Sequence, residues 1–492
     1  MLFLLLAIPL AASLLFWTVK SSRKIINIIN ISGTSALFAV SLLTLKEVLA
    51  HGKITSGLFG GIFYIDALNG FILFTTTLVT FLISIYSVGY MNTEHDRNIV
   101  NLSRFRLYYS LLHLFIFTMI LTTITQNIGL MWISVEATTL ASAFLVGFYN
   151  NKKSIEAAWK YIIICSVGIA FALLGIVLLY YSAFNSLGNT LQCLNWQFLH
   201  DNAGSLHPNV LKLAFLFVII GFGTKVGLAP MHTWLPDAHS QAPSPISALL
   251  SGVLLNTAMY GIIRVMTIVN KNIGNSLFTG RVMIILGLLS VGFAAIFILV
   301  QKDFKRTLAY SSIEHMGIIA LGLGISSALS IFASLFHIIN HSLTKSMLFA
   351  ASGNVYLKYD TKKISKIHGI MKVLPVTGTV FLLGLFAITG MPPFSIFTSE
   401  LGITIAAFKE AKYLAAGLLL LFLVLIFAGF TSQMLGMFYG KPQKDHGVGE
   451  LNRITPAVLL IMLVIIAVTG LYLPPFLKNL INSARDILLL VQ

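Results

Sequence analysis

The sequence predicts an all-α polytopic membrane protein, and three observations support this fold class. Of its 492 residues, 57% are hydrophobic and only 10% are charged, and the mean hydropathy is +0.90. Apolar runs of about 20 residues, the length of a helix that crosses a bilayer, recur along the whole chain. Short loops that carry most of the lysines and arginines separate these runs. A soluble protein of this length could not bury so much apolar surface.

Fourteen apolar runs qualify as membrane-spanning helices. The first is expected to be a retained span rather than a signal peptide, because its basic residues Lys20, Arg23 and Lys24 follow the apolar run instead of preceding it. The approximate bounds of the fourteen spans are 2–19, 26–49, 62–89, 108–126, 128–149, 158–182, 210–230, 244–268, 281–300, 307–325, 328–356, 375–407, 413–438 and 455–476.

The distribution of basic residues predicts the orientation of these spans. With fourteen helices, the loops after odd-numbered helices share one face of the membrane, and they hold most of the loop lysines and arginines. Basic loops remain in the cytoplasm. We therefore expect a prokaryotic cytoplasmic (inner) membrane protein with both termini on the outer face. Adding or removing one span would exchange the sides of all later loops and mix basic with non-basic loops. The difference in basic residues between the two faces therefore supports a count of fourteen spans.

Proline interrupts two of the predicted spans. The seventh contains Pro230, and the twelfth contains Pro392 and Pro393. These spans lie five helices apart, and because five is odd, two matching halves would cross the membrane in opposite directions. Matching interruptions are typical of transporters with inverted repeats. We predict two inverted five-helix repeats, helices 4–8 and 9–13, with helices 7 and 12 broken. The predicted domains are 1–100 (helices 1–3), 101–270 (helices 4–8), 271–440 (helices 9–13) and 441–492 (helix 14 and a short tail).

A lysine lies inside the seventh apolar span. Lys225 comes about one helical turn before Pro230, and an ammonium group at the centre of a bilayer costs roughly 2.5–3.5 kcal/mol on insertion scales. Such a residue usually faces the protein interior and belongs to an ion path. Glu136, well inside the fifth span, is a candidate partner, because an opposite charge nearby would keep both groups ionised. A satisfied glutamate near an interface is the alternative.

The eleventh span has the sharpest local pattern. His337, His341 and Lys345 follow one another at i, i+4 and i+8, so they share one helix face. Imidazole accepts a proton on one nitrogen and releases it from the other near neutral pH, which favours a proton relay. Histidines at i and i+4 could instead bind zinc. Because no third ligand is near in sequence and Lys345 would repel a cation, we expect no metal site.

Two further titratable groups are candidates for the same path. His315 lies in the tenth span, where the preceding Glu314 points to a different helix face and need not act with it. Glu400 ends the broken twelfth helix, with a glutamate at headgroup level as the alternative. Asp237 and His239 are expected to fix a loop, and Asp66 is expected to be interfacial. Lysines and imidazoles suit protons better than sodium, which needs oxygen ligands.

Other chemistries find no support in the sequence. Cys165 and Cys193 form no metal-ligand pattern. The sequence has no CxxC…CxxC run, HExxH motif or phosphate-binding glycine loop. We therefore expect no redox centre or nucleotide site on this chain. The net charge of +16 comes from residues scattered through short loops, which fits membrane topology better than nucleic-acid binding.

Several segments together resemble the antiporter-like membrane subunits of respiratory complex I. The same fold occurs in membrane-bound hydrogenases and multisubunit sodium/proton antiporters. The resemblance covers nearly the whole chain and implies fourteen helices, two inverted repeats with a proton half-channel each, and a hydrophilic axis at mid-membrane. The segments are GTKVGLAPMHTWLPDAHSQAPSPISALLSG, WISVEATTLAS, AYSSIEHMG, HSLTKSMLF and FSIFTSE.

The resemblance also implies roles for individual residues. Its proton-translocation residues map onto Glu136 in helix 5, Lys225 in helix 7, His315 in helix 10, the group of His337, His341 and Lys345 in helix 11, and Glu400 in helix 12. One position departs from the pattern. Many complex I members read LLKTAAYG in helix 8, where this chain reads LLNTAMYG with Asn256. Asparagine cannot carry a charge but can bind a bridging water. This departure and MPPFSIFTSE resemble the hydrogenase-4 component F branch.

The expected function is that of a proton-translocating membrane subunit of a complex I-like, redox-driven assembly of the hydrogenase-4 or formate hydrogenlyase type. No catalytic centre is expected on this chain, and iron–sulfur, nickel–iron or flavin cofactors are expected only on partner subunits. The expected partners are other integral membrane subunits, the bilayer and protons, with no nucleic acid. The alternatives are a sodium/proton antiporter module, a complex I subunit proper, a non-pumping scaffold and, more remotely, a metal-ion carrier built on His337 and His341.

Overall fold

A computed structural model describes the whole chain except residues 19–21, 57–60, 189–190, 443–446 and 490–492. Within the described residues the fold is almost entirely helical, and the predicted fold class is confirmed. Two short strands, β1 (Ile54–Thr55) and β2 (Tyr64–Ile65), pair antiparallel between the second and third helices. Eleven helices among the described residues are long and apolar enough to cross a membrane, with Ser244–Ile273 counted as one helix. The count of fourteen spans and the inverted repeats remain predictions.

Each predicted span coincides with one helix or with a broken pair of helices. In chain order the helices are α1 (Leu2–Thr18), α2 (Arg23–His51), α3 (Ala67–Asp96), α4 (Leu102–Ile124), α5 (Ile128–Val146), α6 (Lys152–Leu187), α7 (Trp196–Asp201), α8 (Pro208–Val226), α9 (Leu235–Gln241), α10 (Ser244–Leu249), α11 (Leu255–Ile273), α12 (Leu277–Val300), α13 (Phe304–Ile325), α14 (Ala328–Tyr359), α15 (Ile370–Val373), α16 (Pro375–Ile388), α17 (Ser395–Lys409), α18 (Tyr413–Phe438), α19 (Ile454–Leu471) and α20 (Pro475–Leu489).

The seventh predicted span is broken, as expected. Helix α8 ends at Val226, and Gly227 follows in the left-handed conformation with φ of 82°, which glycine adopts without a Cβ clash. Turns then lead to the short helix α9. Pro230 lies in these turns rather than inside a helix. The break brings Trp234 back to α8, where its indole Nε1 donates to the carbonyl of Thr224 at 2.8 Å.

The twelfth predicted span is broken in the same manner. Helix α16 ends at Ile388, and α17 begins at Ser395. Pro392 and Pro393 lie in the turn between them, after Gly390 with φ of 70°. Both broken spans therefore have free helix ends within otherwise apolar segments, where side chains and water replace the lost backbone hydrogen bonds.

The central helices of the molecule are α10, α11, α13 and α14. Nearly every residue of these helices is buried, whereas α6, α12 and α18 expose large apolar side chains on their outer surfaces. A π-helical segment, Leu250–Leu254, joins α10 to α11. Within it Gly252 meets α14 so closely that an added Cβ would lie 2.1 Å from the Ser346 hydroxyl. This close packing places the polar face of α14 against α10 and α13.

Asp66 lies at the start of α3 and is buried in the protein. Its carboxylate caps α3 by accepting from the backbone N–H groups of Leu68 and Asn69, and it forms a buried ion pair with Arg264 of α11 at 2.7 Å. The Arg264 guanidinium also packs over the ring of Trp196 at 4.1 Å. The pair ties the start of α3 to α11 inside the protein, because an unpaired charge there would be costly.

Candidate functional site

Lys225 lies in the last turn of α8 and is fully buried. Its Nζ donates to the hydroxyl of Thr139 at 2.9 Å and to the phenol oxygen of Tyr161 at 2.5 Å. It also lies 4.6 Å from the ring centre of Tyr161, which favours a cation. The ammonium group is therefore held by two neutral oxygens and an aromatic face rather than by a direct ion pair.

Glu136 is joined to Lys225 through one hydroxyl. Oγ1 of Thr139 accepts from Lys225 and donates to Oε2 of Glu136 at 3.3 Å, while the Ser166 hydroxyl donates to Oε1 at 2.6 Å. The carboxylate is half-buried at the surface of α5. The sequence predicted the proximity of acid and base, and the structure adds the bridging threonine that separates them.

A polar cleft lies beside the Lys225 group. Its volume is about 480 Å³, and it is lined by residues of α6, α9 and α13 that include Lys160, Asp237 and Arg306. Asp237 pairs with Lys160 at 3.3 Å and with Arg306 at 2.7 Å. Lys160 is exposed, whereas its neighbour Tyr161 is buried against Lys225. The residue that follows Lys160, a lining residue of the cleft, is therefore a direct contact of Lys225.

Asp237 and His239 lie on the helix α9 and not in the loop that the sequence predicted. His239 is fully buried, and its ring stacks on Phe349 of α14 with centroids 5.2 Å apart. On the other side it faces Trp234, 6.3 Å away, which in turn contacts the ring of Tyr161 at 4.6 Å. Neither ring nitrogen of His239 has a hydrogen-bond partner among the described residues. This histidine therefore lies between the Lys225 group and α14.

Lys345 occupies the middle of α14 and is fully buried. Its Nζ donates to the carbonyl of Leu308 at 2.7 Å and to the hydroxyl of Ser311, both on α13. Glu314, one turn further along α13, lies within electrostatic range of this ammonium group. Both carboxylate oxygens of Glu314 are buried without a partner in the described part of the chain. Glu314 therefore belongs to the candidate site, although the sequence indicated no role for it.

Three helices bring together the histidines and the glutamate that we call the histidine cluster, namely His315, His337, His341 and Glu400. Nδ1 of His315 on α13 and Nε2 of His337 on α14 share a hydrogen bond of 2.9 Å. Nδ1 of His315 lies 3.9 Å from Oε1 of Glu400 on α17. The ring of His341 lies 5.4 Å from that of His315. All four side chains are buried.

Ser399 orients the histidine cluster from α17. Its hydroxyl lies 2.9 Å from Nδ1 of His337, and it donates to the carbonyl of Ile396 at 2.9 Å. Because that hydroxyl has one proton, which goes to the carbonyl, it is placed to accept from His337. The proton of His337 is then fixed on Nδ1, and Nε2 is free to accept. The sequence gave no signal for this contact.

Glu400 borders a second cavity. The cavity has a volume of about 360 Å³ and is lined mostly by apolar side chains of α17 and α18, which include Leu401 and Val424. Both of these residues are exposed on the outer surface. Within the histidine cluster, Glu400 is therefore the member that borders a space open to the apolar surface of the protein.

Asn256 lies where α11 meets α14. Its Nδ2 donates to the carbonyl of Gly252 at 2.9 Å and to the hydroxyl of Ser342 at 2.8 Å. Its Oδ1 is buried and has no hydrogen-bond partner within the described ranges. Asn256 thus contacts the residue that follows His341 in α14, and its side-chain oxygen Oδ1 can accept a further hydrogen bond.

Two family models match the chain. The model described as NADH:quinone oxidoreductase/Mrp antiporter, TM, matches residues 125–427, more than half of the sequence. The chain belongs to this antiporter family. A second model, described as NADH-Ubiquinone oxidoreductase (complex I), chain 5 N-terminus, matches residues 62–105. The resemblance seen in the sequence is therefore confirmed, and the protein is an antiporter-like integral membrane protein.

Named members of the antiporter family are similar over most of the chain. Hydrogenase-4 component F homolog of Methylacidiphilum infernorum is 39% identical over 85% of this chain and 86% of its own length. Hydrogenase-4 component B of Escherichia coli (strain K12) is 27% identical over 85% of this chain, and the match spans 64% of that protein.

Solved structures share the fold from end to end. A chain of the membrane-bound sulfane sulfur reductase, an archaeal respiratory membrane complex, has a TM-score of 0.86 and 26% identity, with 99% of this chain and 97% of that chain covered. A chain of the Mrp complex from Dietzia sp. DQ12-45-1b has a TM-score of 0.87 and 19% identity, with 99% and 96% covered. The antiporter-family fold therefore extends over the whole chain.

Proposed function

We propose that this chain translocates protons as a membrane subunit of a redox-driven, complex I-like assembly of the hydrogenase-4 type. The observation that carries the proposal is a row of buried titratable groups on adjacent helices. The row contains Lys225, His239, Lys345, His341, His315, His337 and Glu400, and its last member borders the apolar cavity. Buried ionisable groups within membrane segments are rare and mark ion pathways.

Protons would enter through the polar cleft. The charged side chains of Lys160, Asp237 and Arg306 line the cleft and would hold water there. Tyr161, the residue after Lys160, is hydrogen-bonded to Lys225 and would pass the proton on. Thr139 can transmit a proton between Glu136 and Lys225, because one hydroxyl both accepts and donates. We place the cleft on the cytoplasmic side, since it lies at the ends of helices whose connecting loops are basic.

The middle of the path depends on groups whose polar atoms have no hydrogen-bond partner among the residues that the structure describes. His239 and His341 each have two such nitrogens, Glu314 has two such oxygens and Asn256 has one. Buried polar atoms of this kind are usually satisfied by internal water. Water bound between them would link the Lys225 group to Lys345 and to the histidine cluster. Asn256 contributes by holding one of these waters and not by carrying charge.

Glu400 would release the proton on the opposite side. The histidine cluster ends at this carboxyl group, and the adjoining cavity lies against it. The row favours protons over sodium, since it is made of lysines and imidazoles and sodium requires oxygen ligands. A sodium/proton antiporter module remains the second candidate, favoured by the fold shared with the Mrp chain. Sodium-dependent exchange without a redox substrate would identify it.

The hydrogenase-4 assignment is supported by the component F homolog. In such an assembly the redox cofactors lie on partner subunits: nickel–iron and iron–sulfur groups in a hydrogenase, flavin in complex I. The driving force would reach this chain electrostatically, when a charge change at a neighbouring subunit shifts the proton between Glu136 and Lys225. Purification of the native complex would identify these subunits and with them the electron donor.

The decisive experiment removes the cation of the Lys225 group. Lys225→Ala in the reconstituted complex should abolish redox-driven proton pumping, measured with a pH-sensitive dye in sealed vesicles, while electron transfer by the partner subunits remains measurable. Lys212→Ala is the matched control, because Lys212 lies on the same helix α8 near its other end and packs on Phe278. Undiminished pumping by Lys225→Ala would exclude the proposed path.

A further inference from the structure

Three ligand atoms of the histidine cluster converge on one point. They are Nδ1 of His315, Nε2 of His337 and a carboxylate oxygen of Glu400, and all lie within 4.8 Å of one another. Neighbouring ligand atoms in a tetrahedral zinc site are about 3.4 Å apart, given metal–ligand distances of about 2.0–2.2 Å. Nδ1 of His315 lies 2.9 Å from Nε2 of His337 and 3.9 Å from Oε1 of Glu400, one distance shorter and one longer than that value. From this geometry we infer that His315, His337 and Glu400 bind a divalent transition-metal ion, preferentially zinc.

The donor set suits zinc. Two imidazoles and one carboxylate leave a fourth position for water in tetrahedral sites of this kind. A metal-bound histidine normally donates its other N–H to a fixed acceptor, which sets the orientation of the ring. His337 has such an acceptor in the hydroxyl of Ser399, 2.9 Å from Nδ1. The nitrogen left free by that contact is the one that faces His315 and Glu400.

An unpartnered atom points independently to a cation. Oε1 of Glu400 is buried and accepts no hydrogen bond in the described part of the chain, although the side chain is only 8% exposed. Glu314, also buried and unpartnered, lies within electrostatic range of Glu400. Glu314 is therefore near both Glu400 and the ammonium group of Lys345. A divalent cation would compensate the negative charge of these carboxylates. The charge of Glu314 would offset the repulsion between that cation and the ammonium group of Lys345.

The third ligand comes from tertiary structure, whereas the expectation of no metal site considered only ligands near in sequence. The sequence suggested His337 and His341, one turn apart on one helix, and offered no further ligand. In the structure the partners of His337 come from α13 and α17, and His341 is not one of the three ligands. The inference does not depend on proton translocation, because it rests on ligand geometry alone.

The purified full-length chain in detergent permits a direct test. Cobalt(II) would be titrated while its visible d–d absorption is recorded, and zinc would then be added to displace it. His337→Gln and Glu400→Gln should each raise the dissociation constant at least about tenfold, since even an outer-shell partner of a zinc ligand is worth about 10–100-fold. His341→Gln is the matched control and should bind as tightly as the unaltered chain.

A second variant distinguishes the loss of a metal ligand from misfolding. His337→Cys keeps a metal ligand and should add a thiolate-to-cobalt charge-transfer band, which forms only if the residue contacts the ion. Unchanged affinity in both His337→Gln and Glu400→Gln would overturn the site, as would the absence of this band in a folded, cobalt-bound His337→Cys protein. Equal weakening by His341→Gln would overturn the proposed ligand set.

Discussion

A Cβ atom at Gly390 would lie 2.2 Å from Oε2 of Glu400, so glycine at this position leaves the space that the carboxylate occupies. Gly390 also has φ of 70°, a conformation that other residues adopt at a cost of about 1–2 kcal/mol. The break between α16 and α17 therefore serves two purposes. It turns the chain inside an apolar segment, and it holds the Glu400 carboxylate beside His315 and His337.

Gly390→Ala should lower both stability and transport. The backbone conformation alone should cost about 1–2 kcal/mol, and the displaced carboxylate should reduce proton translocation. Thermal unfolding in detergent and dye-monitored pumping would measure the two effects. Gly417→Ala is the control, because a Cβ added there on α18 meets nothing within 4 Å. Normal pumping by Gly390→Ala would show that the position of Glu400 does not matter.

Thr139→Val should slow proton translocation without removing either charged group. The valine leaves Lys225 with one fewer hydrogen bond and breaks its link to Glu136. A buried group that loses its partner costs about 1–3 kcal/mol, and a barrier raised by 1.4 kcal/mol slows a step about tenfold. Thr139→Ser retains the hydroxyl and should pump near the normal rate. Equal rates for the valine and serine variants would argue against the bridge.

Asp66→Asn should destabilise the protein strongly. Asparagine keeps an oxygen that can cap α3 but removes the charge that compensates buried Arg264. Breaking a buried ion pair in this way costs about 3–5 kcal/mol. Asp96→Asn removes the partner of Arg23 in an exposed pair and should cost about 0–1 kcal/mol. Thermal unfolding of both variants in one detergent would give the comparison, and similar losses would contradict the assignment.

Asn256→Leu should slow the middle of the path if Asn256 holds a conducting water. Leucine fills a similar volume but removes both the donor to Ser342 and the free acceptor Oδ1. We expect pumping to fall several-fold while the protein still folds. Thr257→Val is the control on the next residue of α11, because that hydroxyl bonds only to the carbonyl of Leu254 in its own helix. Pumping that is unaffected by Asn256→Leu would remove this residue from the path.

Short-range patterns in the sequence predicted a large part of the molecule. Apolar runs fix where helices form in a bilayer, because the backbone must satisfy its hydrogen bonds internally. The sequence also revealed the charged side chains whose insertion into a bilayer costs free energy, such as Lys225 and Lys345. It predicted the helix breaks near Pro230 and Pro392 as well. The i, i+4 spacing placed His337 and His341 on one face, since that neighbourhood is a property of the helix itself.

The sequence missed groups whose importance depends on distant partners. Glu314 was dismissed because it points away from His315 on its own helix, yet that direction leads toward Lys345. The sequence predicts a loop for His239, whereas the structure places it on α9, buried between Trp234 and Phe349. We predict no role for Arg264 from the sequence, although an arginine in an apolar run is itself an indication of a buried partner.

The sequence by itself determined the fold class, the family resemblance and the titratable residues that the membrane-spanning helices carry. Only the tertiary structure decided which of them meet. Nδ1 of His315 contacts Nε2 of His337 across two helices, and Glu400 reaches both from a third. The physical reason is that helical spacing specifies neighbours within one element, whereas contacts between α13, α14 and α17 arise from side-chain packing among helices. The same packing placed Thr139 between Glu136 and Lys225, for which the sequence predicted only proximity.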